Sequence, residues 1–462
     1  MITLTRGIVG EDAERVLAVI RQAGGRPMLV GGCVRDAILN PGIPAKDIDI
    51  EVYGITDPDQ LGAALATAGK VAEAGKSFGV FKITAGSTCI DVSLPRRESK
   101  VGSGHRGFAV IPDSTIGFAE ASARRDFTIN AMMADPETGE ITDCHGGLSD
   151  LASGVLRHTS AAFAEDPLRI LRAVQFAARF AFRLAPETAL LCRRLAGSFK
   201  ELPVERVWGE FEKIGTRGKD ISAALAALEQ TWWEVHFPQI DVLHTVPQDP
   251  EWHPEGNVHV HSGLAADQAA RLADAAGLTG EDRFAVVFAA LVHDFGKVTH
   301  THWLNGRITS HGHAEAGVEP AQAFLRSIGC PEAITARIVP LVREHMSCIG
   351  QPTKPAVRRL ARRLAPATMT ELALVVGADR AGRGDPDAPN PAAPWLEMAA
   401  NLTISERPAK GLLTGDHLIA AGMTPGPAFR PLLAAALEAQ DAGEFDTEDG
   451  ALRWLAAREE SL

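Results

Sequence analysis

The run Leu29-Val30-Gly31-Gly32-Cys33-Val34-Arg35-Asp36, followed by Lys46-Asp47-Ile48-Asp49-Ile50, constrains this chain more than any other stretch. Apolar residues lead into a glycine pair, a short segment follows, and a second apolar segment carries carboxylates at alternate positions. The pattern reads as strand, Gly-Gly turn, short helix and second strand. Side chains two apart on a strand share a face, so Asp47 and Asp49 are expected side by side while Ile48 and Ile50 point into a core. Paired carboxylates suit Mg²⁺, a hard cation that takes oxygen ligands and substrate phosphates. The glycine pair lets backbone N–H groups approach a phosphate. Taken singly, an Asp-x-Asp is a solvated strand edge and a Gly-Gly a turn; together they predict a metal- and phosphate-handling site of the two-metal kind.

A chain of 462 residues suggests roughly two to four domains. Its apolar (45%) and charged (23%) fractions are ordinary for a globular protein. No apolar run approaches the ~18 residues of a membrane span, and 284–292 reads as a buried helix segment. The opening Met1-Ile2-Thr3-Leu4-Thr5-Arg6 does not read as a signal peptide. Six scattered cysteines without paired-ligand spacing point to a reducing cytoplasm and away from a cysteine zinc site. A net charge of −12 argues against general coating of nucleic acid. It leaves room for RNA in a local basic groove, at Arg124-Arg125, Arg193-Arg194, or Arg358-Arg359 with Arg362-Arg363. Each cluster alone reads better as a solvated helix face.

Residues 11–23 have the spacing of an amphipathic helix that buries Ala13, Val16, Leu17 and Ile20. Strands are expected at about 27–31, 48–53, 79–85 and 88–94, giving a small mixed α/β domain. Asp91 either joins Asp47 and Asp49 as a third carboxylate or faces solvent. Glu51 shares their face by period-2 counting and is expected to be exposed. Residues 96–107, with Arg96, Arg97, Lys100 and Arg106, read as a mobile basic loop. A helix is expected from Arg124, and a turn at Pro136–Gly139 joins two short strands. From about residue 149 the chain reads as helical, so the fold class is α+β. The expected segments are a head at 1–148, a helical neck at 149–220, a helical body at 221–380, and a Pro/Gly/Asp linker with a helical tail at 381–462. Within the neck, Asp166, Arg169, Arg172 and Gln175 recur at three-residue steps. They form either a surface stripe of intrahelical salt bridges or a row of fixed donors and acceptors for a base edge.

These residues resemble the motifs of class II tRNA nucleotidyltransferases, the CCA-adding enzymes and their poly(A) polymerase relatives. Gly31-Gly32-Cys33-Val34-Arg35-Asp36 with Asp47 and Asp49 is similar to the first motif. Arg124-Arg125-Asp126 through Asn130 is similar to the second, Asp143–Leu151 to the third, Glu165-Asp166-Pro167-Leu168-Arg169 to the fourth, and Glu205-Arg206 through Glu212 to the fifth. The resemblance implies that Asp47 and Asp49 hold Mg²⁺ at the catalytic centre, with Asp91 beside them. It implies that Gly31, Gly32, Arg35, Arg124, Arg125, Asp126 and Asn130 contact or position the nucleotide. Asp166 and Arg169 would read the base of CTP or ATP, with Arg172 in support and the fifth motif bracing their helix. Gln175 stands where some members carry arginine. The 96–107 loop lies where the family has an element that switches from CTP to ATP.

A second constellation follows: His261, then His293-Asp294-Phe295-Gly296-Lys297, His311, His313, His345 and Asp379. Its order resembles the HD phosphohydrolase superfamily, a domain carried by some bacterial CCA-adding enzymes, and Trp252–Val258 also looks like that group. The resemblance implies a second divalent metal (Mg, Mn, Ni or Fe) on His261, His293, Asp294 and Asp379. Lys297, His311, His313 and His345 would be accessory ligands or phosphate contacts. The implied partners are a tRNA 3′ end, CTP and ATP, with no membrane; monomer and dimer both stay open. Three other readings remain: a CC-, A- or poly(A)-adding relative, an HD phosphohydrolase with an RNA-binding head, and a non-catalytic RNA-binding module.

Overall fold

The computed structural model describes residues 4, 9–45, 47–75, 79–100, 108–113 and 115–459. The fold is α+β. The chain divides into two compact units, one of residues 1–206 with 226–233, the other of 207–225 with 234–462. The four segments expected from the sequence are finer than this division. No helix among the described residues is long and apolar enough to cross a membrane.

The first unit is built on strands β1 (Arg26–Val30), β2 (Ile48–Tyr53), β3 (Lys70–Gly75), β4 (Val80–Ala85), β5 (Thr88–Ser93), β6 (Arg96–Lys100), β7 (Phe108–Pro112), β8 (Met133–Ala134) and β9 (Ile141–Thr142). Seven of them form one sheet in the order β3-β4-β5-β2-β1-β8-β9. β2 and β5 pair in parallel at its centre, and the other neighbours are antiparallel. Ile48, Ile50, Ile90 and Val92 are buried in the core below. The helix Glu11–Gln22 buries the four residues its spacing predicts.

Four local expectations change. Asp47 lies just ahead of β2 rather than on it, and is exposed. The expected basic loop begins as β6, paired with β7, while 101–107 fall outside the described residues. Charged strands lack the alternation that a sequence reading needs, and here the pairing alone defines the element. The helix expected from Arg124 runs instead over Phe118–Ala123, with Arg124 as its C-cap and a short turn of helix at Thr128–Asn130. Glu51, expected at the surface, is fully buried.

The second unit is helical apart from the hairpin His302–Leu304/Arg307–Thr309. The helices Val258–Ala275, Gly280–Val292, Glu332–Glu344 and Met369–Ala381 pack on one another. Ala265, Ala266, Ala269, Ala270 and Ala273 are all fully buried, which lets the backbones of neighbouring helices approach closely. The proline-rich segment after Ala381 is tied back, because Asn390 Nδ2 donates to Ala373 O at 2.8 Å. Of the expected basic groove at 358–363, Arg362 is engaged by Asp441 at 2.6 Å and Arg363 by Glu344 at 2.8 Å. Those two guanidiniums are engaged by carboxylates of the same unit.

Candidate active sites

In the first unit, parallel pairing sets Asp49 directly beside Asp91. Both line a cavity of about 460 Å³ together with six arginines, Arg96, Arg124, Arg125, Arg169, Arg172 and Arg206. Gly31 closes the turn above β1 with φ +75°, a conformation that favours glycine. A Cβ there would stand 2.9 Å from Arg125 Nη1 and 3.4 Å from Asp49 Oδ2. Gly31 therefore gives the arginine and the carboxylate room to meet. Gly32 begins the helix Gly32–Leu39.

Burial pushes the Asp49 carboxyl above its ordinary range; Arg125 opposes this, and Asp91 and Asp47 push it further. Lys82, across from Asp91 on β4, sits 2.8 Å from Asp91 Oδ1, an oxygen that makes no hydrogen bond of good geometry. Crowded carboxylate oxygens of this kind fit a hard divalent cation.

Glu51 explains how the arginine pair is held. It accepts from Arg124 at 2.8 Å and from the Tyr53 hydroxyl at 2.6 Å, and lies 3.6 Å from Arg125. Period-2 counting places Glu51 on the correct face; its arginine cover comes from a segment some 73 residues away and is invisible in the sequence. Lys82 is missed for the same reason, since only the β4–β5 register pairs it with Asp91.

Asp166 lies just ahead of the helix Leu168–Phe180 and Arg169 and Arg172 on it; among the described residues each of these charged members is held by a partner elsewhere in the chain. Arg206 grips both oxygens of Asp166, at 3.2 and 2.8 Å. Arg169 donates to the backbone carbonyls of Ala162 (2.7 Å) and Arg124 (2.6 Å). Arg172 Nε donates to Asp126 at 2.7 Å. Burial raises the Asp126 carboxyl, but Arg172, Asn130 and the Phe127 N–H outweigh it and hold it below the usual range. Gln175 is buried beneath the stripe and does not line the cavity.

Arg35 departs from its expected place. It is buried, donates to Asp36 at 2.8 Å and to Asn130, and stacks over Phe180 at 4.7 Å. Neither Arg35 nor Asn130 lines the cavity. Desolvation of a guanidinium is tolerated here because a carboxylate, an amide and aromatic faces surround it. Both residues thus buttress Asp126 and its neighbours rather than face a phosphate.

In the second unit, helix ends assemble the other site. His293 caps Gly280–Val292 and His345 caps Glu332–Glu344, while His261 and Asp379 project from Val258–Ala275 and Met369–Ala381. His261, His293 and Asp379 form one potential ligand group, and His293, Asp294 and His345 another. His261 Nε2 lies 3.1 Å from Asp379, and His293 Nε2 lies 3.2 Å from Asp294. His313 Nε2 lies 3.2 Å from Asp294 and 3.0 Å from His345 Nε2. A Cβ on Gly296 would stand 2.0 Å from the His313 carbonyl, so this glycine is what admits His313.

The Nε2 atoms of His261 and His293 and both Asp294 oxygens are buried without a hydrogen bond of good geometry among the described residues. This holds even though Lys297 Nζ stands 2.6 Å from Asp294. Buried polar atoms left in this state are costly, and mixed imidazole and carboxylate donors suit a transition-type divalent ion. Burial lowers the His261 imidazole, but Asp379, Glu255 and Asp294 overcome it and carry it to about 9. Burial and then the neighbouring His293 press His345 down to about 3, so it is a neutral donor. Asp294 is held well below its usual range because His293 and Lys297 outweigh its burial. The cluster opens on a cavity of about 650 Å³, whose mouth carries the exposed His311.

The Poly A polymerase head domain family matches residues 28–157, and the HD domain family matches residues 258–378. The "Multifunctional CCA protein" of Xanthomonas campestris pv. campestris (strain B100) is 39% identical over 394 residues, 82% of this chain and 91% of that protein. The protein of the same name from Stenotrophomonas maltophilia (strain K279a) is 36% identical over 427 residues, 88% of this chain and 97% of that one. Among solved structures, the Bacillus stearothermophilus CCA-adding enzyme in complex with CTP superposes with a TM-score of 0.65 at 22% identity, covering 98% of this chain and 99% of that chain. The Thermotoga maritima CCA-adding enzyme complexed with tRNA_CCA gives 0.56 at 20% identity, covering 99% of this chain and 100% of that chain. At those identities the structural likeness shows the fold. Sequence identity over most of both chains shows more: this chain belongs to the multifunctional CCA protein family, with a poly A polymerase-type head and an HD domain.

Proposed function

We propose that this enzyme adds C, C and A to the 3′ end of tRNA from CTP and ATP, without a nucleic-acid template, releasing pyrophosphate. One observation carries the reading: Asp49 and Asp91 stand in register at the floor of a cavity lined by six arginines. The carboxylates match a divalent cation and the arginines match a triphosphate. Asp47 and Asp49, with Asp91 beside them, would hold Mg²⁺, which when bound lowers the barrier to attack of the tRNA 3′-hydroxyl on the α-phosphate. Arg124 and Arg125, fixed by Glu51, orient the triphosphate so that pyrophosphate leaves in line. Asp166 and Arg169, locked by Arg206 and by two backbone carbonyls, present unchanging donors and acceptors to the cytosine or adenine edge. Arg172, held on Asp126, keeps that row in place.

The head would then span 1–148, the neck with its base-reading helix 149–220, the body with the HD domain 221–380, and a tRNA-binding tail 381–462. The unpaired cysteines fit a reducing cytoplasm. The His/Asp cluster of the second unit supports an additional metal-dependent phosphohydrolase activity on phosphorylated nucleosides and RNA ends, with Mg, Mn, Ni or Fe as the ion. Its motivation is the set of buried donor atoms without hydrogen bonds.

The test is incorporation into a tRNA ending at its discriminator base, with Mg²⁺ and CTP alone, ATP alone, or both. Two additions with CTP and a third only with ATP are expected. A stop after two cytidines makes the enzyme a CC-adding relative, and no incorporation with either nucleotide overturns the transferase reading.

A further inference from the structure

The HD cavity is larger than its metal-ligand cluster requires. At about 650 Å³ it falls among pockets that enclose drug-sized ligands, well beyond a bare phosphate. Three cationic side chains, Lys297, Arg343 and Arg383, line it together with Asp294 and Asp379. One large aromatic side chain lines it as well. Trp252 is 54% exposed and makes no ring contact among the described residues. Among the exposed tryptophans, Trp252 is the one that lines this cavity, and an open indole face there is available to a flat apolar ring.

The position of this indole is built rather than incidental. Trp252 sits on a turn in which the Trp252 and His253 N–H groups both donate to the Asp249 carbonyl, at 3.1 and 2.8 Å. The next residue, His253, packs edge-on to His261 with ring centroids 4.7 Å apart, and its Nδ1 donates to Glu255 at 2.8 Å. Glu255 in turn contacts His261 Nδ1 at 2.7 Å. A contact to the hairpin also pins the turn. Arg307, on the hairpin His302–Leu304/Arg307–Thr309, pairs with Glu251. The Trp252 backbone is thus held between the metal-ligand cluster and the hairpin, with its ring left open to the cavity.

We propose that Trp252 is a stacking platform for the nucleobase of the phosphoester bound in this cavity, an inference that rests on the phosphohydrolase reading above. Phosphate would enter against Lys297 and the cluster, and the base would lie on the indole face. Stacking of this kind accepts any base, because every base has a π-face, and alanine substitution of such a platform typically weakens binding by about tenfold or more. The cavity would therefore select nucleoside-bearing phosphoesters, at RNA ends or free, over sugar phosphates without a base. Trp252 would set KM and leave bond cleavage to the cluster.

The test compares adenosine 2′,3′-cyclic phosphate with the 2′,3′-cyclic phosphate of methyl riboside, in wild-type, W252A and W252F full-length enzyme loaded with divalent metal. The wild type is expected to show a KM about tenfold lower for the adenosine compound. That preference should fall to about twofold or less in W252A, with most of it kept in W252F and kcat nearly level. A preference that survives W252A, or its absence in the wild type, overturns the proposal. A second arm measures binding of adenosine 3′-monophosphate to chelator-treated protein. If no phosphoester is hydrolysed but W252A still weakens this binding, the platform stands and the phosphohydrolase reading falls. Equal binding by wild type and W252A overturns the platform itself.

Discussion

The two cavities solve one problem with opposite materials. In the head, carboxylates come from neighbouring strands, remain partly open (the Asp91 side chain is 43% exposed), and are ringed by arginines. In the HD domain, imidazoles and carboxylates come from helix ends and are almost wholly buried, His261 at 0% and Asp294 at 2% side-chain exposure. The open site is shaped to pass a long, highly charged polymer end and a triphosphate. The second site buries its donors at the base of its cavity, which strengthens each electrostatic contact and suits tight retention of an ion. Exposure therefore separates a site organised around substrate charge from one organised around a resident ion.

The strongest way to break this comparison is reciprocal inactivation. Asp49→Ala is expected to lower nucleotide incorporation by about 10³-fold or more, and Asp294→Asn to lower phosphoester hydrolysis by a similar factor. Each variant should spare the other reaction. Loss of both activities from either substitution, in protein that still folds by circular dichroism, would mean that the cavities do not work independently. Chelator treatment should abolish both reactions, and re-addition of Mg²⁺, Mn²⁺ or Ni²⁺ separately would show which ion each donor set prefers.

The contrast also explains what could be read from the sequence. Strand sites obey a local rule: alternation alone places Asp49 with its side chain opposite Ile48 and Ile50, and the Gly31-Gly32 turn announces itself by composition. The partners that tune the site are non-local. Glu51 looks like a surface residue until Arg124 and Arg125 are folded over it, and Arg35 looks like a phosphate ligand until Phe176 and Phe180 enclose it. The HD cluster was legible as a spacing of residue types, but the convergence of four helix segments on one point is a tertiary fact that no periodicity encodes. Residues 96–100 mislead in a third way, because their pairing as β6 rests on backbone bonds to β7 and leaves no apolar pattern.

A smaller effect sharpens the account of the head. Arg206 meets Asp166 through two parallel contacts at 3.2 and 2.8 Å, a geometry that fixes the carboxylate plane. Arg206→Ala should let Asp166 rotate and reduce discrimination between CTP and ATP by about tenfold, while tRNA affinity stays within about twofold. Arg206→Lys should rescue little, since an ammonium cannot reproduce the bidentate fork. Discrimination that is unchanged in single-nucleotide incorporation assays would remove Asp166 from the base-reading role.

The smallest expected effect concerns the scaffold beneath that helix. Asp126 is buried and takes a charged hydrogen bond from Arg172 at 2.7 Å. Its carboxyl is held below the ordinary range despite burial, so the folded state binds its proton less readily than the unfolded chain does. The stabilisation is therefore fully present above the unfolded value of about 3.9 and is lost as pH falls through the lower folded value. Asp126→Asn keeps the shape and the Asn130 neighbour but leaves the Arg172 guanidinium without its anion, at a cost of about 1–3 kcal/mol near neutrality. In thermal melts the variant should unfold a few degrees below the wild type at pH 7. The gap should narrow as pH drops below about 4, where the unfolded chain takes up the Asp126 proton before the folded protein does. A gap of constant size from pH 7 to pH 3 would show that packing, and not the carboxylate charge, ties Arg172 to the floor of the head cavity.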